Sequence, residues 1–205
     1  MKRLRATFAA RLAAELADLL HRFKFLDESG VHLGMTRLYG RAAAGERVVE
    51  ATPGTSGPHY TVVATLGLQG VQAPLLFEGA MTRLRFETYI EEVWAPTLQR
   101  GEILVMDNLS AHKSDQVRAT LEARGVQLIF LPPYSPDLNP IEKCWAKMKA
   151  AVRAAKARTW DDLVAALRDA LLSVSHSDVL AWFAHCVRNG VNQIGYRSIA
   201  ILSEL

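Results

Sequence analysis

Residues 128–149, LIFLPPYSPDLNPIEKCWAKMK, constrain the fold more than any other run of this chain. Leu128-Ile129-Phe130-Leu131 reads as a short apolar strand. Pro132-Pro133 must end it, because proline cannot donate to a strand ladder. Pro136 and Pro140 then hold the connecting backbone extended or turned. Asn139 is placed to cap a helix whose first position is Pro140, where a missing N–H costs nothing. Glu142 therefore falls in the first turn of a helix that begins just beyond a strand. The helix dipole alone gives a carboxylate there a structural reason. Whether it also has chemistry depends on what the rest of the chain brings to the same edge.

Upstream, residues 102–106 end in the apolar run Ile103-Leu104-Val105-Met106, bounded by Gly101 and by Asp107-Asn108. A strand buried on both faces reads this way. Ser114 to Arg124 follows as a helix, Gly125 closes it, and Val126 to Leu131 is the next strand. Such short β–α–β connections make the two strands parallel neighbours.

Earlier still, residues 3–22 carry Leu4, Phe8, Leu12, Leu16 and Leu19 at helical spacing, an amphipathic helix whose stripe continues to Phe23. Phe23 to Asp27 alternates as a strand, with Asp27 at or near its end, and Glu28-Ser29-Gly30 reads as a turn. Residues 31–58 are broken by glycine and proline; Arg37, Arg41 and Arg47 make them basic, and residues 47–50 could be a short edge strand. His59 to Leu68 is a strand, turned by Gln69-Gly70 into a hairpin with Val71 to Glu78. Phe86, Tyr89, Ile90, Val93, Trp94 and Leu98 mark a helix that Pro96 bends or ends. After the Glu142 helix, which reaches about Arg158, residues 160–172 form a helix capped by Thr159. Residues 177–187 form another, and residues 188–205 show no clear pattern. The chain is α/β, and no repeat or linker divides it.

Composition narrows the function classes. A net charge of +3 permits a nucleic-acid partner without demanding one. Cys144 and Cys186 make neither a disulfide framework nor a zinc-binding spacing, which suits a reducing cytoplasm. Charged residues interrupt every apolar run short of a membrane span or a signal-peptide core. The expectation is a soluble intracellular protein.

In an open α/β sheet, ligands collect at the carboxyl ends of the strands. If the first strand pairs with the one ending at Met106, that edge receives Asp27, Asp107 and Glu142 together. Converging carboxylates repel one another unless a cation neutralises them. Oxygen donors without clustered His or Cys favour Mg²⁺ or Mn²⁺ over Zn²⁺, and a pair of such ions would serve an in-line phosphoryl displacement. Each acid alone also has an ordinary explanation: a turn for Asp27, an Asp-Asn turn for Asp107, a helix dipole for Glu142. Asp137 and Glu28 are the nearest competitors, although Glu28, one residue past Asp27, should point to the opposite side. On the Glu142 helix, Ile141, Trp145, Met148 and Val152 form the core stripe. Lys149 and Arg153 share a face with Glu142, flanked by Lys143 and Lys147. This basic row would track a phosphate backbone or would simply be a solvated face. His112, in NLSAHK, is placed either to position a phosphate or a water or to bond locally.

LDESG at 26–30, VMDNLSAHK at 105–113 and LPPYSPDLNPIEKCW at 131–145 closely resemble the DDE transposases of bacterial insertion sequences in the Tc/mariner superfamily. Between Asp107 and Glu142 lie 34 residues, as in that group. The resemblance runs from about Phe23 to Cys186. GMTRLYGRAAAG at 34–45 looks like the family's segment after the first strand, without the proline often found there. The resemblance implies an RNase H-like, retroviral-integrase-type core: a mixed central sheet flanked by helices, with additional C-terminal helices. It divides the chain into an N-terminal helix (1–22), a catalytic domain (23–158) and a helical extension (159–205).

By motif match, Asp27, Asp107 and Glu142 become the catalytic, metal-binding triad, holding two Mg²⁺ or Mn²⁺ ions. By charge and placement, Arg37, Arg41, His112, Lys113, Lys143, Lys147, Lys149 and Arg153 are the candidate contacts to DNA, a solvated surface being the alternative reading. The implied chemistry is hydrolysis at transposon ends, then attack of the freed 3′-OH on target DNA. A homo-oligomer on DNA in a bacterial cytoplasm, associated with the nucleoid, is the implied setting. Full-length members carry helix-turn-helix domains before this core, so the resemblance implies a separately encoded or truncated catalytic half. Members also often end in a Phe-x-x-Cys-Gly-Tyr-like segment. Here Phe183-Ala184-His185-Cys186 continues as Val187-Arg188, which implies an altered tail. Two alternatives stay open: an RNase H-like nuclease of another kind, and a non-catalytic or partner-dependent DNA-binding module.

Overall fold

The computed structural model describes residues 20–108 and 114–192. The helix expected over 3–22 therefore lies almost wholly outside the described residues, as do His112, Lys113 and the tail beyond Asn192. A single 3-10 turn, Leu20–Arg22, leads into the first strand.

Five strands make one mixed sheet: β1 (Phe23–His32), β2 (His59–Gly67), β3 (Gly70–Glu78), β4 (Ile103–Met106) and β5 (Gln127–Phe130), in the order β3-β2-β1-β4-β5. β1 runs antiparallel to β2 and parallel to β4, and β4 runs parallel to β5. The apolar run 103–106 is buried throughout, as a strand covered on both faces must be.

β1 departs from expectation. Glu28-Ser29-Gly30 does not turn; the strand continues to His32 because β2 pairs with it all the way, from Phe25 opposite Leu66 to His32 opposite His59. Its parallel pairing to β4 stops at Phe25 opposite Val105. A full row of antiparallel partners outweighs a locally turn-like triplet. Residues 47–50 form no strand; they belong to the exposed stretch linking β1 to β2. The β2–β3 turn falls on Leu68-Gln69, one residue earlier than expected, with Gly67 opposite Gly70.

Alternation along the strands sends side chains to two cores. On one face Phe23, Phe25, Val62, Ala64, Leu66, Ile103 and Val105 meet three helices: α3 (Ile141–Ala155), α4 (Trp160–Leu172) and α5 (His176–Asn192). To reach them the chain first crosses the other face, where Leu26, Val63, Leu104 and Met106 pack against α1 (Arg83–Thr88) and α2 (Asp115–Ala123). α1 widens into a π-helical turn, Tyr89–Trp94, and tightens into a 3-10 turn at Ala95–Thr97, where Pro96 has no N–H to continue the helix. Leu163 and Leu167 of α4 and Val179 and Phe183 of α5 belong to the same core as α3, so these additional C-terminal helices share its face of the sheet.

Lys24 is buried near the amino end of β1. Its ammonium donates to Gln69 at 2.9 Å and Gln72 at 2.7 Å and pairs with Glu102 at 3.4 Å. A buried cation is tolerable only with such partners, and these tie the β2–β3 hairpin to the start of β4. No described helix is long and apolar enough to cross a membrane.

Candidate active site

Asp27 sits where β1 outruns β4. Two residues past the last parallel pair, Phe25 and Val105, the same register brings Asp27 level with Asp107, which directly follows β4. Phe23 and Phe25 face α3, and alternation puts Asp27 on that face too. There Trp145 of α3 donates its indole N–H to Asp27 Oδ2 at 3.1 Å. Glu142 lies three residues before Trp145, one turn nearer the start of the helix, and is exposed.

The Asp27 carboxyl is pushed up from 3.8 to about 7. Burial is the main cause, followed by the charges of Glu142, Glu28 and Asp107; a hydrogen bond from the Glu28 backbone pulls the other way. All three carboxylates of the sequence motifs thus share one electrostatic neighbourhood. Among the described residues no three His, Cys, Asp or Glu side chains converge closely enough to hold a metal ion. The arrangement is one of mutual repulsion rather than closed coordination. Its donor set fits a hard divalent cation, which binds carboxylate oxygens and relieves such crowding.

Of the competing acids, Glu28 shares this neighbourhood electrostatically and Asp137 does not act on Asp27. Glu28 belongs to the other face, where its charge adds to burial in raising the Tyr89 phenol. Asp137 lies in a 3-10 turn, Pro136–Leu138, and its charge adds to the rise of the Cys186 thiol on α5, which burial chiefly pushes up to about 12.

The proline-rich approach to Glu142 is anchored from beneath. Tyr134 is exposed and left-handed at φ 55°, while Ser135, Leu138 and Asn139 are buried. One expectation fails here. Asn139 does not cap α3 through its side chain: the helix begins at Ile141, and Asn139 gives only its backbone carbonyl, to the Glu142 N–H at 3.2 Å. The φ/ψ of Asn139, −107° and 102°, leads into a helical Pro140 at −65° and −24°, so the turn closes through the backbone. The Asn139 amide oxygen is buried without a hydrogen-bond partner among the described residues.

The basic residues divide by what they touch. Lys143 is exposed, and Lys149 and Arg153 are half-buried along α3. Lys147 is committed within the protein, donating to Asp178 at 2.6 Å and to the Ser173 carbonyl at 2.8 Å, which ties α3 to the start of α5. Arg37 pairs with Glu50 at 3.7 Å, and Arg41 is exposed. His112 and Lys113 fall outside the described residues. Arg158, absent from the expected set, donates to the carbonyls of Leu33 and Met35 and holds the base of the β1–β2 connection. Trp145, legible as a core residue from its spacing, also makes the polar contact to Asp27 that the spacing does not reveal.

Residues 22–164, well over half of the chain, match the family described as DDE superfamily endonuclease. The chain belongs to that family. Within it, the segment resembles the Tc1 transposase of Caenorhabditis elegans, 32% identical over 88 residues, which is 41% of this chain and 32% of that protein. The Tcb1 transposase of Caenorhabditis briggsae is 31% identical over 100 residues, 47% of this chain and 37% of that protein. The chain therefore spans about a third of the curated relatives it matches. Among solved structures, the Mos1 strand transfer complex superposes with a TM-score of 0.76 at 18% identity, covering 96% of this chain and 63% of that one. The catalytic domain of Mos1 mariner transposase gives 0.69 at 16% identity, covering 93% and 90%. At such identity the likeness establishes the fold, and the mixed sheet with its flanking helices is the RNase H-like fold of that domain.

Proposed function

We propose that this DDE endonuclease domain is the catalytic part of a DNA transposase, cleaving DNA at transposon ends and joining the freed 3′-OH to target DNA. The observation that carries the reading is the carboxylate edge: Asp27, Asp107 and Glu142 within one electrostatic neighbourhood, in a chain whose curated relatives are transposases. Asp27, Asp107 and Glu142 would hold Mg²⁺ or Mn²⁺, two ions in our reading. When bound, such ions supply Lewis-acid stabilisation of the phosphate and activate the attacking oxygen. Mos1 paired end complexes have been determined with Mg and with Mn, which supports the choice of ion.

The chain's own residues set the geometry. β1 holds Asp27 on β2 just beyond its last pair with β4, Asp107 directly follows β4, and the proline approach, anchored by buried Ser135, Leu138 and Asn139, sets where α3 and Glu142 begin. Lys143, Lys149 and Arg153 on α3, with Arg37 and Arg41 in the β1–β2 connection and His112 and Lys113 after Asp107, are the DNA contacts we propose. Lys147 stands among them in sequence, but its present partners are Asp178 and Ser173. Assembly of more than one copy on DNA is part of the proposal. So are recognition of transposon ends by a separately encoded helix-turn-helix half, and an insertion-sequence origin in a bacterial cytoplasm at the nucleoid.

The test is cleavage and joining of labelled transposon-end DNA, with and without the helix-turn-helix half. Asp107→Ala and Glu142→Ala should each abolish Mg²⁺- or Mn²⁺-dependent product while leaving circular dichroism intact and metal-free melting no lower than wild type. Undiminished activity in both would sink the assignment. Cleavage without joining would indicate another kind of RNase H-like nuclease. Salt-sensitive DNA binding with no cleavage, even with the other half supplied, would indicate a non-catalytic module.

A further inference from the structure

We propose that Trp145 is a positioning residue for Asp27, holding its carboxylate in the orientation that receives the cation. The inference rests on the metal-dependent reading above. The indole is buried, at 2% exposure, between α3 and the sheet, and its N–H donates to Asp27 Oδ2 at 3.1 Å. An indole is a donor only, and a buried one takes an acceptor from what its surroundings offer. Here the acceptor is one oxygen of the carboxylate at the sheet edge. The bond engages Oδ2 and, with the hydrogen bond from the Glu28 backbone, restricts rotation of the group. Because the donor is neutral, it adds no positive charge to the site, whereas a lysine or arginine in the same place would repel an incoming cation. The placement on α3 adds a coupling. Glu142 and Trp145 are one helical turn apart, so the helix that carries one acid also grips another. A slide of α3 along the sheet would displace both.

Packing alone would also bury a tryptophan here, and metal affinity separates the two roles. Outer hydrogen bonds to metal-binding groups typically matter by about 10–100-fold in affinity. Mn²⁺ binding to the full chain is measured by calorimetry for wild type, Trp145→Phe and Asp107→Ala. Trp145→Phe keeps an aromatic ring and removes the N–H. It should bind Mn²⁺ roughly tenfold more weakly, and cleavage should be largely restored at saturating Mn²⁺. Wild-type binding that Asp107→Ala abolishes and Trp145→Phe leaves unchanged would overturn the positioning role while sparing the metal reading. Absence of Mn²⁺ binding by wild type would overturn both. If Trp145→Phe does not fold, the ¹H–¹⁵N indole resonance of Trp145 in the wild-type protein decides. It should shift on adding Mg²⁺ and again on Asp27→Asn, and a resonance that ignores both rejects the proposal.

Discussion

Replacing Asp27 by asparagine should stabilise the metal-free protein, and only above mildly acidic pH. The folded state raises this carboxyl from 3.8 to about 7. The folded chain thus holds the proton more tightly than the unfolded one. The resulting stabilisation is complete below pH 3.8 and is lost as pH rises through about 7. At about 1.4 kcal/mol per unit, the full shift corresponds to about 4 kcal/mol. Solvent screening at a half-buried group reduces this to about 2 kcal/mol. Asparagine is nearly isosteric, carries no charge and still offers an oxygen to the Trp145 indole. Asp27→Asn should therefore melt roughly 4–8 °C above wild type at pH 8 in EDTA, using about 2–4 °C per kcal/mol for a domain of this size. At pH 4 the two should melt together.

Mn²⁺ should reverse the order. A ligand at a hundred times its dissociation constant adds about 2.7 kcal/mol to the protein that binds it, and only wild type keeps the full set of acids. Thermal melts by circular dichroism across pH 4–8.5, with EDTA or Mn²⁺, read out both effects. A variant less stable than wild type at pH 8 in EDTA, or a gain equally large at pH 4, would refute the electrostatic account of this edge.

Two further outcomes test other parts of the molecule. Lys149→Ala and Arg153→Ala should each flatten the logarithmic salt dependence of DNA binding by about one unit of slope. Lys147→Ala should change that slope less, because its ammonium already serves Asp178 and Ser173; equal effects from all three would contradict the division. Gly125→Ala should cost about 1–2 kcal/mol in urea unfolding. The position is left-handed at φ 68°, and an added Cβ would come within 2.9 Å of Arg100 Cγ. A neutral substitution would show that this backbone relaxes freely.

Much of the scaffold is legible in the chain because single rules act there unopposed. Residues 103–106 are apolar without interruption, so burial on both faces follows. Thr159 caps α4 by accepting the Asp162 N–H, a local contact that local sequence can foretell. Elsewhere, distant partners decide. Glu28-Ser29-Gly30 reads as a turn until Val62, Val63 and Thr61 line up opposite it. Asn139 has the composition of a cap, but the backbone geometry set by Pro140 closes the turn without its amide. Lys147 belongs by spacing to a basic row, and its partner Asp178 lies on another helix. Trp145 reads correctly as core. Where its N–H points depends on how far α3 sits from β1, which no spacing within α3 encodes.

The extra length of β1 has a further consequence. Between Asp27 and the connection over residues 33–58 stand five residues, Glu28 to His32, each held by a partner on β2. The connection itself is fastened separately, at its start by Arg158 on the Leu33 and Met35 carbonyls and further on by the Lys156–Glu50 ion pair. The connection is thus mechanically insulated from the carboxylate edge. Doubling its length would add only about 0.6 kcal/mol of closure entropy and would leave Asp27 in register. Residues 42–49 are the part of this connection whose length can change while Asp27 stays in place beside β4, whereas Arg37 and Arg41 before them are proposed DNA contacts.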